Sequence, residues 1–338
     1  MGRDKRNLYF KDLHQQAYDR LTSKLALGES KREAKINGTA DNKIFSANTY
    51  KTYWKHTKYF IKYVKENHPG CSSLDKAKEY VPEWLQSRVD QGLSAWTIQT
   101  EAKALGKLYG IKPEDKDYFD PPQRHREDIK RSRVDCVRDR HFSKTNNDEL
   151  IRFCRGTGPR RGELENMRGR DLYSREQIEA QIRKYEAMSS RTPEEEKDLR
   201  LLKDTRLFKE KDFLYIKGKG GRERYSPIIG PDAPRIIERI LNTPAEQRVW
   251  QHVHDSADIH SYRADYATAL YKAFARPIEE IPFDKVNKGT GHKYQSEVYV
   301  CRKDEAGRKL DKAAMEICSK ALGHNRISIF ADNYQRNL

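Results

Sequence analysis

Hydrophobic and polar positions along this chain follow the helical period almost throughout, with one clear interruption. Over 8–27 apolar residues recur at helical spacing, and the polar stretch GESKREAKINGTADN that follows reads as a loop. From Ser46, which suits an N-cap, to Asn67, apolar or aromatic side chains fall at 50, 53, 54, 60, 61 and 64, with Thr57 in phase. That spacing predicts one long amphipathic helix. A shorter helix over 74–90 turns Trp84 and Leu85 inward, and Gly92-Leu93-Ser94 opens another that runs to 109 with Trp96, Leu105, Leu108 and Tyr109 inward. Asp120-Pro121-Pro122 then stops any helix, because proline lacks a donor and pushes its predecessor out of the helical region. The polar, basic run over 111–142 reads as a connector.

Beyond it, SKTNNDELIRFCR predicts a helix, GTGPRRGE a turn into the next helix, and 174–206 a charged helical pair split at Ser189–Pro193. The interruption is FLYIKGKGGRERYSPI, which alternates in twos about a glycine turn and predicts a β-hairpin. YQSEVYVCRKDEAGRKL predicts a second hairpin, and the rest is helical, with no internal repeat. The expected architecture is mainly α with a small antiparallel sheet. An all-α domain would occupy 1–120, a linker 121–142, and an α+β domain 143–338.

Composition narrows the partner. Lys and Arg number 67 against 51 Asp and Glu, a formal net charge of +16 on 338 residues. So basic a chain points to a polyanion, most often nucleic acid. The excess is no tail: 29 basic and 20 acidic residues precede residue 142, and 38 and 31 follow from there. Two basic lobes sharing one polyanion is the expected geometry. No stretch approaches the ~18 uncharged apolar residues of a membrane span, and MGRDKRNLYF has no apolar signal core. Five scattered cysteines without a C-x-x-C suit a reducing, cytoplasmic compartment and argue against a zinc site. On the long helix Lys51, Lys55, Lys58, Lys62 and Lys65 form a stripe about 80° wide beside the apolar face. No acid stands among them before Glu66, so the stripe is expected to face DNA rather than solvent. Lys103 and Lys107 share a face of the later helix.

Four separated pieces of the second domain carry the residue types of phosphate chemistry. They are Thr157-Gly158-Pro159-Arg160-Arg161-Gly162-Glu163-Leu164, the hairpin from Gly218-Lys219-Gly220 to Pro227, His260-Ser261-Tyr262-Arg263, and Leu322-Gly323-His324 with Tyr334 beyond it. None is specific alone, and the glycine turn is no nucleotide P-loop, since no G-x-x-x-x-G-K-[ST] is present.

In order and context these pieces resemble the tyrosine recombinase family, the phage-type integrases. That family carries T-G-L-R-x-x-E, a G-K-G hairpin lysine, H-x-x-R, L-G-H and a C-terminal Tyr. The resemblance covers roughly 45–338, and GLSAWTIQTEAKALGKLYG is similar to the family's last core-binding helix. It implies a site-specific DNA recombinase that cleaves and rejoins duplex DNA through a 3′-phosphotyrosyl intermediate, with no metal or nucleotide cofactor. It also implies a tetramer on DNA, an accessory directionality protein, and integration or excision of a mobile element in a prokaryotic cytoplasm. Arg160 and Arg263 would hold the phosphate, Lys219 would protonate the leaving 5′-oxygen, and Tyr334 would be the nucleophile. His260 and His324 would hydrogen-bond the phosphate, His260 also taking the tyrosine proton. Glu163 would orient the arginines, or serve only as a cap or helix salt bridge. The chemistry agrees, because charge building on non-bridging oxygens calls for cations, and the planar guanidinium binds phosphate bidentately. A tyrosine of ordinary pKa near 10 needs such cations and a base to act. A catalytically silent DNA-binding relative, or a DNA-relaxing or telomere-resolving enzyme, are the alternatives.

Other residues and departures complete the expectation. Arg161 points about 100° from its neighbour and is expected either to support the residues behind the clamp or to meet backbone. Arg222 and Arg224 are expected to track DNA phosphates, and His252 and His254 lack the acids or cysteines that would complete a metal site. Pro159 stands where the family has Leu, and 174–206 and 283–312 read as insertions. Tyr334 lies ten residues after His324 where nine is usual. One extra residue turns a regular helix by about 100°, so the DNY stretch has to begin a new helix after a bend.

Overall fold

The computed structural model describes residues 12–125, 128, 142–218, 221–281, 297–302 and 305–334. Lys219, most of the expected linker and most of the 283–312 segment lie outside the described residues. The chain divides into two compact units, Met1–Arg124 and His125–Leu338.

The first unit is helical. α1 (Leu13–Thr22) is capped by Asp12, which accepts from the Gln15 backbone N–H at 2.8 Å. It stops short of residue 27 because Leu25 bridges to Ile44, with Ala26 N donating to Ile44 O at 3.0 Å. The stretch expected as a plain loop holds α2 (Lys31–Ile36), capped by the Ser30 hydroxyl. α3 (Ala47–Asn67) begins at Ser46, whose hydroxyl accepts from Thr49 N at 3.1 Å, and buries Phe60, Ile61 and Val64. The helix expected over 74–90 is two, α4 (Leu74–Ala77) and α5 (Val81–Asp90), joined by a 3-10 turn over Lys78–Tyr80. Pro82 explains the break, since its ring would strike the carbonyl of residue 78 in a continuous helix. α6 (Ala95–Tyr109) is capped by Ser94 and ends at Gly110 in the left-handed region. Leu13, Leu21, Phe60, Ile61, Leu85, Leu105 and Leu108 close one core among these helices.

The second unit runs α7 (Asp148–Thr157), α8 (Arg161–Asn166), β1 (Leu172–Ser174), α9 (Arg175–Glu186), α10 (Pro193–Asp204), β2 (Asp212–Lys217), β3 (Glu223–Pro227), α11 (Ala233–Leu241), α12 (Ile259–Phe274), β4 (Val298–Val300), β5 (Lys309–Asp311), α13 (Lys312–Ala321) and α14 (Ser328–Asn333). β1, β2 and β3 form an antiparallel sheet in that order, and β4 pairs with β5 as the second hairpin. The architecture is mainly α with a small antiparallel sheet.

The two-residue period of β2 divides the interior. Phe213 faces a core built from α9, α10, α12, α13 and α14, while Leu214 and Ile216 face another formed with Phe153, Leu164, Ile236 and Ile240. Burying each such side chain is worth about 2 kcal/mol, so a one-residue slip of β2 would empty both sides. Residues 174–206, read from sequence as an insertion, are integral to the first of these cores. Ile178 and Ile182 of α9 and Leu199 and Leu202 of α10 are buried in the same cluster as Tyr266, Phe330 and Tyr334.

Candidate active site

The sequence boxes meet where helices end. α7 stops at Gly158, whose φ of +59° only glycine adopts freely, and a Cβ there would run into the Tyr266 ring. Arg160 then caps α8, and Glu163 folds back to accept the Arg160 backbone N–H at 2.8 Å. α13 ends with Gly323 at φ +66°, Gly323 N bonding Lys320 O at 3.0 Å and His324 N bonding Ser319 O at 2.8 Å. The positive φ favours glycine at this position, and the turn sets His324 just past the helix end. It also leaves the Ala321 and Leu322 carbonyls without helical partners, and two arginines satisfy them. Arg224 Nε donates to Ala321 O at 2.8 Å, and Arg263 Nη2 to Leu322 O at 2.6 Å.

Glu163 is the centre of the cluster, its side chain 3% exposed. Oε1 accepts from Arg160 Nη1 at 2.6 Å and Arg224 Nη1 at 3.2 Å, and Oε2 from Arg160 N and Arg224 Nη2 at 2.8 Å each. All four acceptor positions of the carboxylate are filled. Arg263 Nη1 stands 3.9 Å from Oε2 as a further ion pair. Burial alone would raise the Glu163 pKa, but the Arg224 hydrogen bond, with the charges of Arg224 and Arg263, overrides it and holds the group at about 2. Three guanidiniums around one carboxylate leave the site cationic, as a phosphate site needs to be.

Arg263 is fully buried on α12. Its Nε donates to the Tyr334 hydroxyl at 3.1 Å, its Nη1 to Gly158 O, and its Nη2 also reaches His324 Nε2 at 3.4 Å. Burial lowers its pKa to about 10, which leaves it cationic at neutral pH. Tyr334 is 5% exposed at the end of α14, with its ring 5.4 Å from the His324 ring and its carbonyl accepting from Thr268 Oγ1 at 3.1 Å. Burial first, and then Arg263, Arg160 and Arg224, push the His324 imidazole down to about 3. It is neutral at pH 7, and since a guanidinium only donates, Nε2 is the acceptor and Nδ1 carries the hydrogen.

The structure thus gathers Arg160, Glu163, Arg263, His324 and Tyr334. His260, three residues before Arg263 on α12, is exposed. Gly218, beside Lys219, comes so close to the cluster that a Cβ would lie 2.5 Å from Glu163 Oε1 and 3.5 Å from Arg160 Nη1. Gly218, just past β2, therefore abuts the site. Arg161 meets backbone, its guanidinium donating to the carbonyls of Val253, His254, Asp255 and Ala257 just ahead of α12.

Arg224 departs from its expected place. It is 3% exposed inside the cluster, not on a DNA-facing surface. The signal for this was in the strand period, which pairs Arg224 with core residue Ile216 and puts it in phase with buried Ser226. Arg222, just outside the strand, is exposed. In the first unit Lys51, Lys55, Lys58 and Lys62 are exposed along α3, and so is Lys103 on α6. The stripe is not free of acids: Lys65 pairs with Asp12 at 3.0 Å and Lys62 with Glu66 at 3.7 Å. Lys107 is half-buried and donates to the Asp41 carbonyl. Among the described residues, no group of His, Cys, Asp and Glu gathers as a metal site, and no helix is long and apolar enough to cross a membrane.

No family model and no curated protein matches the chain. Among solved structures it is similar to the Tn1549 transposon integrase in complex with transposon right end DNA. The TM-score is 0.41 and the identity 10%, over 97% of this chain and 96% of that one. A likeness this distant assigns no activity.

Proposed function

We propose that this chain is a tyrosine site-specific recombinase that cuts and rejoins duplex DNA through a 3′-phosphotyrosyl intermediate. The observation that carries the reading is the hydrogen bond from Arg263 Nε to the Tyr334 hydroxyl at 3.1 Å, inside a cluster that also holds Arg160 and His324. Segments as far apart as 160 and 334 meet in this one cluster, and the guanidinium donates directly to the hydroxyl that would attack.

The roles that the family resemblance implies give the reaction. The Tyr334 oxygen attacks the phosphorus, its proton passing to exposed His260. Arg160, whose side chain is 27% exposed, meets the non-bridging oxygens, where negative charge grows in the transition state. The bond from phosphorus to the 5′-oxygen breaks, and Lys219 returns a proton to that oxygen. Because the tyrosyl ester keeps the energy of the phosphodiester, a 5′-hydroxyl from a second strand reverses the step without a nucleotide. The biological setting that fits is integration or excision of a mobile element by a tetramer on DNA, directed by an accessory protein.

The test uses nicked duplexes tiled across the DNA that flanks the coding sequence. Wild type is expected to form an adduct that survives detergent in excess chelator, whereas Tyr334→Phe retains DNA but forms none. An adduct that persists in Tyr334→Phe, or that needs a divalent metal, refutes the mechanism. DNA retention without any wild-type adduct leaves the silent binder as the better reading.

A further inference from the structure

We propose that Arg224 is a positioning residue that fixes the Glu163 carboxylate and the His324 turn together, and so sets the working geometry of the candidate active site. This rests on the recombinase reading for its consequence, though not for its geometry. The Arg224 fork spans both Glu163 oxygens, at 3.2 and 2.8 Å, while its Nε holds the Ala321 carbonyl at 2.8 Å. The following turn rests on the same guanidinium: a Cβ on Gly323 would lie 3.1 Å from Arg224 Nη1. Arg224 also belongs to β3, opposite Ile216 of β2, so the β2–β3 hairpin is anchored through it. One side chain therefore ties three sequence-distant parts, namely the start of α8, the hairpin that bears Lys219, and the turn that bears His324.

The geometry rules out the role first expected of it. At 3% exposure, with Nε, Nη1 and Nη2 all donating to protein, Arg224 does not reach a DNA phosphate. Its effect on chemistry is indirect. Glu163 holds the Arg160 guanidinium at 2.6 Å, and Glu163 itself keeps its place through the Arg224 fork. Without that fork, two of the four acceptor positions of a buried carboxylate open, and Arg160 is left to fill them instead of facing a phosphate. Lysine does not replace it, because one ammonium cannot bridge both carboxylate oxygens and the Ala321 carbonyl.

The test compares full-length wild type, Arg224→Lys and Arg224→Gly on the tiled nicked duplexes. Adduct formation at saturating DNA is expected to fall about a hundredfold in both variants, with DNA affinity unchanged within about threefold. Guanidinium chloride added at millimolar concentration is expected to restore rate to Arg224→Gly, and methylammonium chloride is not. Where Arg224→Gly fails to fold, Arg224→Lys, which keeps charge and volume, carries the comparison. A wild-type rate in Arg224→Lys overturns the proposal, and so does a defect that saturating DNA cures, since that is the behaviour of a phosphate contact. Hydrogen exchange without DNA separates this proposal from the recombinase reading. If wild type forms no adduct on any duplex, that reading fails on its own. Faster exchange at the Gly323 and His324 amides in Arg224→Lys still upholds the positioning role, and unchanged protection overturns it.

Discussion

Replacing Glu163 by glutamine keeps the shape of the side chain and removes the one negative charge among three guanidiniums. The drop in its pKa from 4.5 to about 2 measures what the ionised form gains in the fold. At 1.36 kcal/mol per unit, that is about 3 kcal/mol. Because the folded value lies below the unfolded one, this contribution is complete above pH 4.5 and fades as pH falls toward 2. The neutral amide would also leave Arg224 and Arg263, at 4% and 0% side-chain exposure, without their counter-charge. Breaking one side of a buried pair costs about 3–5 kcal/mol, which is the expected loss for Glu163→Gln at pH 7. Urea unfolding of both proteins at pH 7, 5, 4 and 3 measures the difference. The gap is expected to be constant from pH 7 to 5 and to close by most of that about 3 kcal/mol at the acid end. A gap under about 1 kcal/mol at pH 7, or one that is the same at pH 3, refutes the view of Glu163 as the keystone of the cluster.

Three further outcomes follow. His324, held neutral with its pKa pushed to about 3, is expected to show no imidazole titration between about pH 5 and 8 by nitrogen-15 NMR. Its folded value lies below the unfolded one, so wild type loses stability as pH drops under about 6.5, a slope that His324→Gln lacks; titration near 6.5 would contradict this. Gly158→Ala, forced to φ +59° against the Tyr266 ring, is expected to lose at least about 2 kcal/mol in thermal unfolding, and a loss under half that would mean the ring yields. Lys55→Ala with Lys62→Ala is expected to flatten the dependence of log K on log salt for a short duplex by about one to two units, at about 0.9 per phosphate neutralised. An unchanged slope would return the α3 stripe to solvent.

What the sequence made legible was set by local physics. Ser46 and Ser94 announce α3 and α6 because a hydroxyl at the N-cap satisfies a backbone donor that the helix itself leaves open. The β2–β3 hairpin announces itself by alternation. The ten-residue spacing from His324 to Tyr334 announces a break after α13, but the DNY stretch closes α14 instead of beginning it, because the new helix already starts at Ser328. What stayed hidden depends on partners distant in sequence. β1 is three residues long and exists because Leu172 pairs with Leu214 of β2. α9 and α10 look like a charged insertion because their outer faces are charged, yet four buried aliphatic side chains decide where they pack. Lys65 looked unpaired because Asp12 lies 53 residues away. Arg224 looked like a surface cation because the carboxylate that buries it, Glu163, comes from another box altogether.

The donor accounting at Arg263 sets an order on any encounter with a phosphate. A guanidinium has five N–H donors, and in this structure those of Arg263 point to Tyr334, Gly158, Leu322, His324 and the flank of Glu163. None is directed to solvent, and the side chain is wholly buried. Two of these partners are fixed carbonyls at the ends of α7 and α13, so replacing either would break a helix terminus. The other two side chains that touch it by hydrogen bond, His324 and Tyr334, sit on a turn and just past the end of a six-residue helix. Under the recombinase reading, a phosphate meets partly exposed Arg160 first and reaches Arg263 only as His324 or Tyr334 gives way. On that reading the guanidinium that holds the Tyr334 hydroxyl is the same one a phosphate would have to reach, so substrate entry and the release of His324 or Tyr334 are coupled through a single side chain.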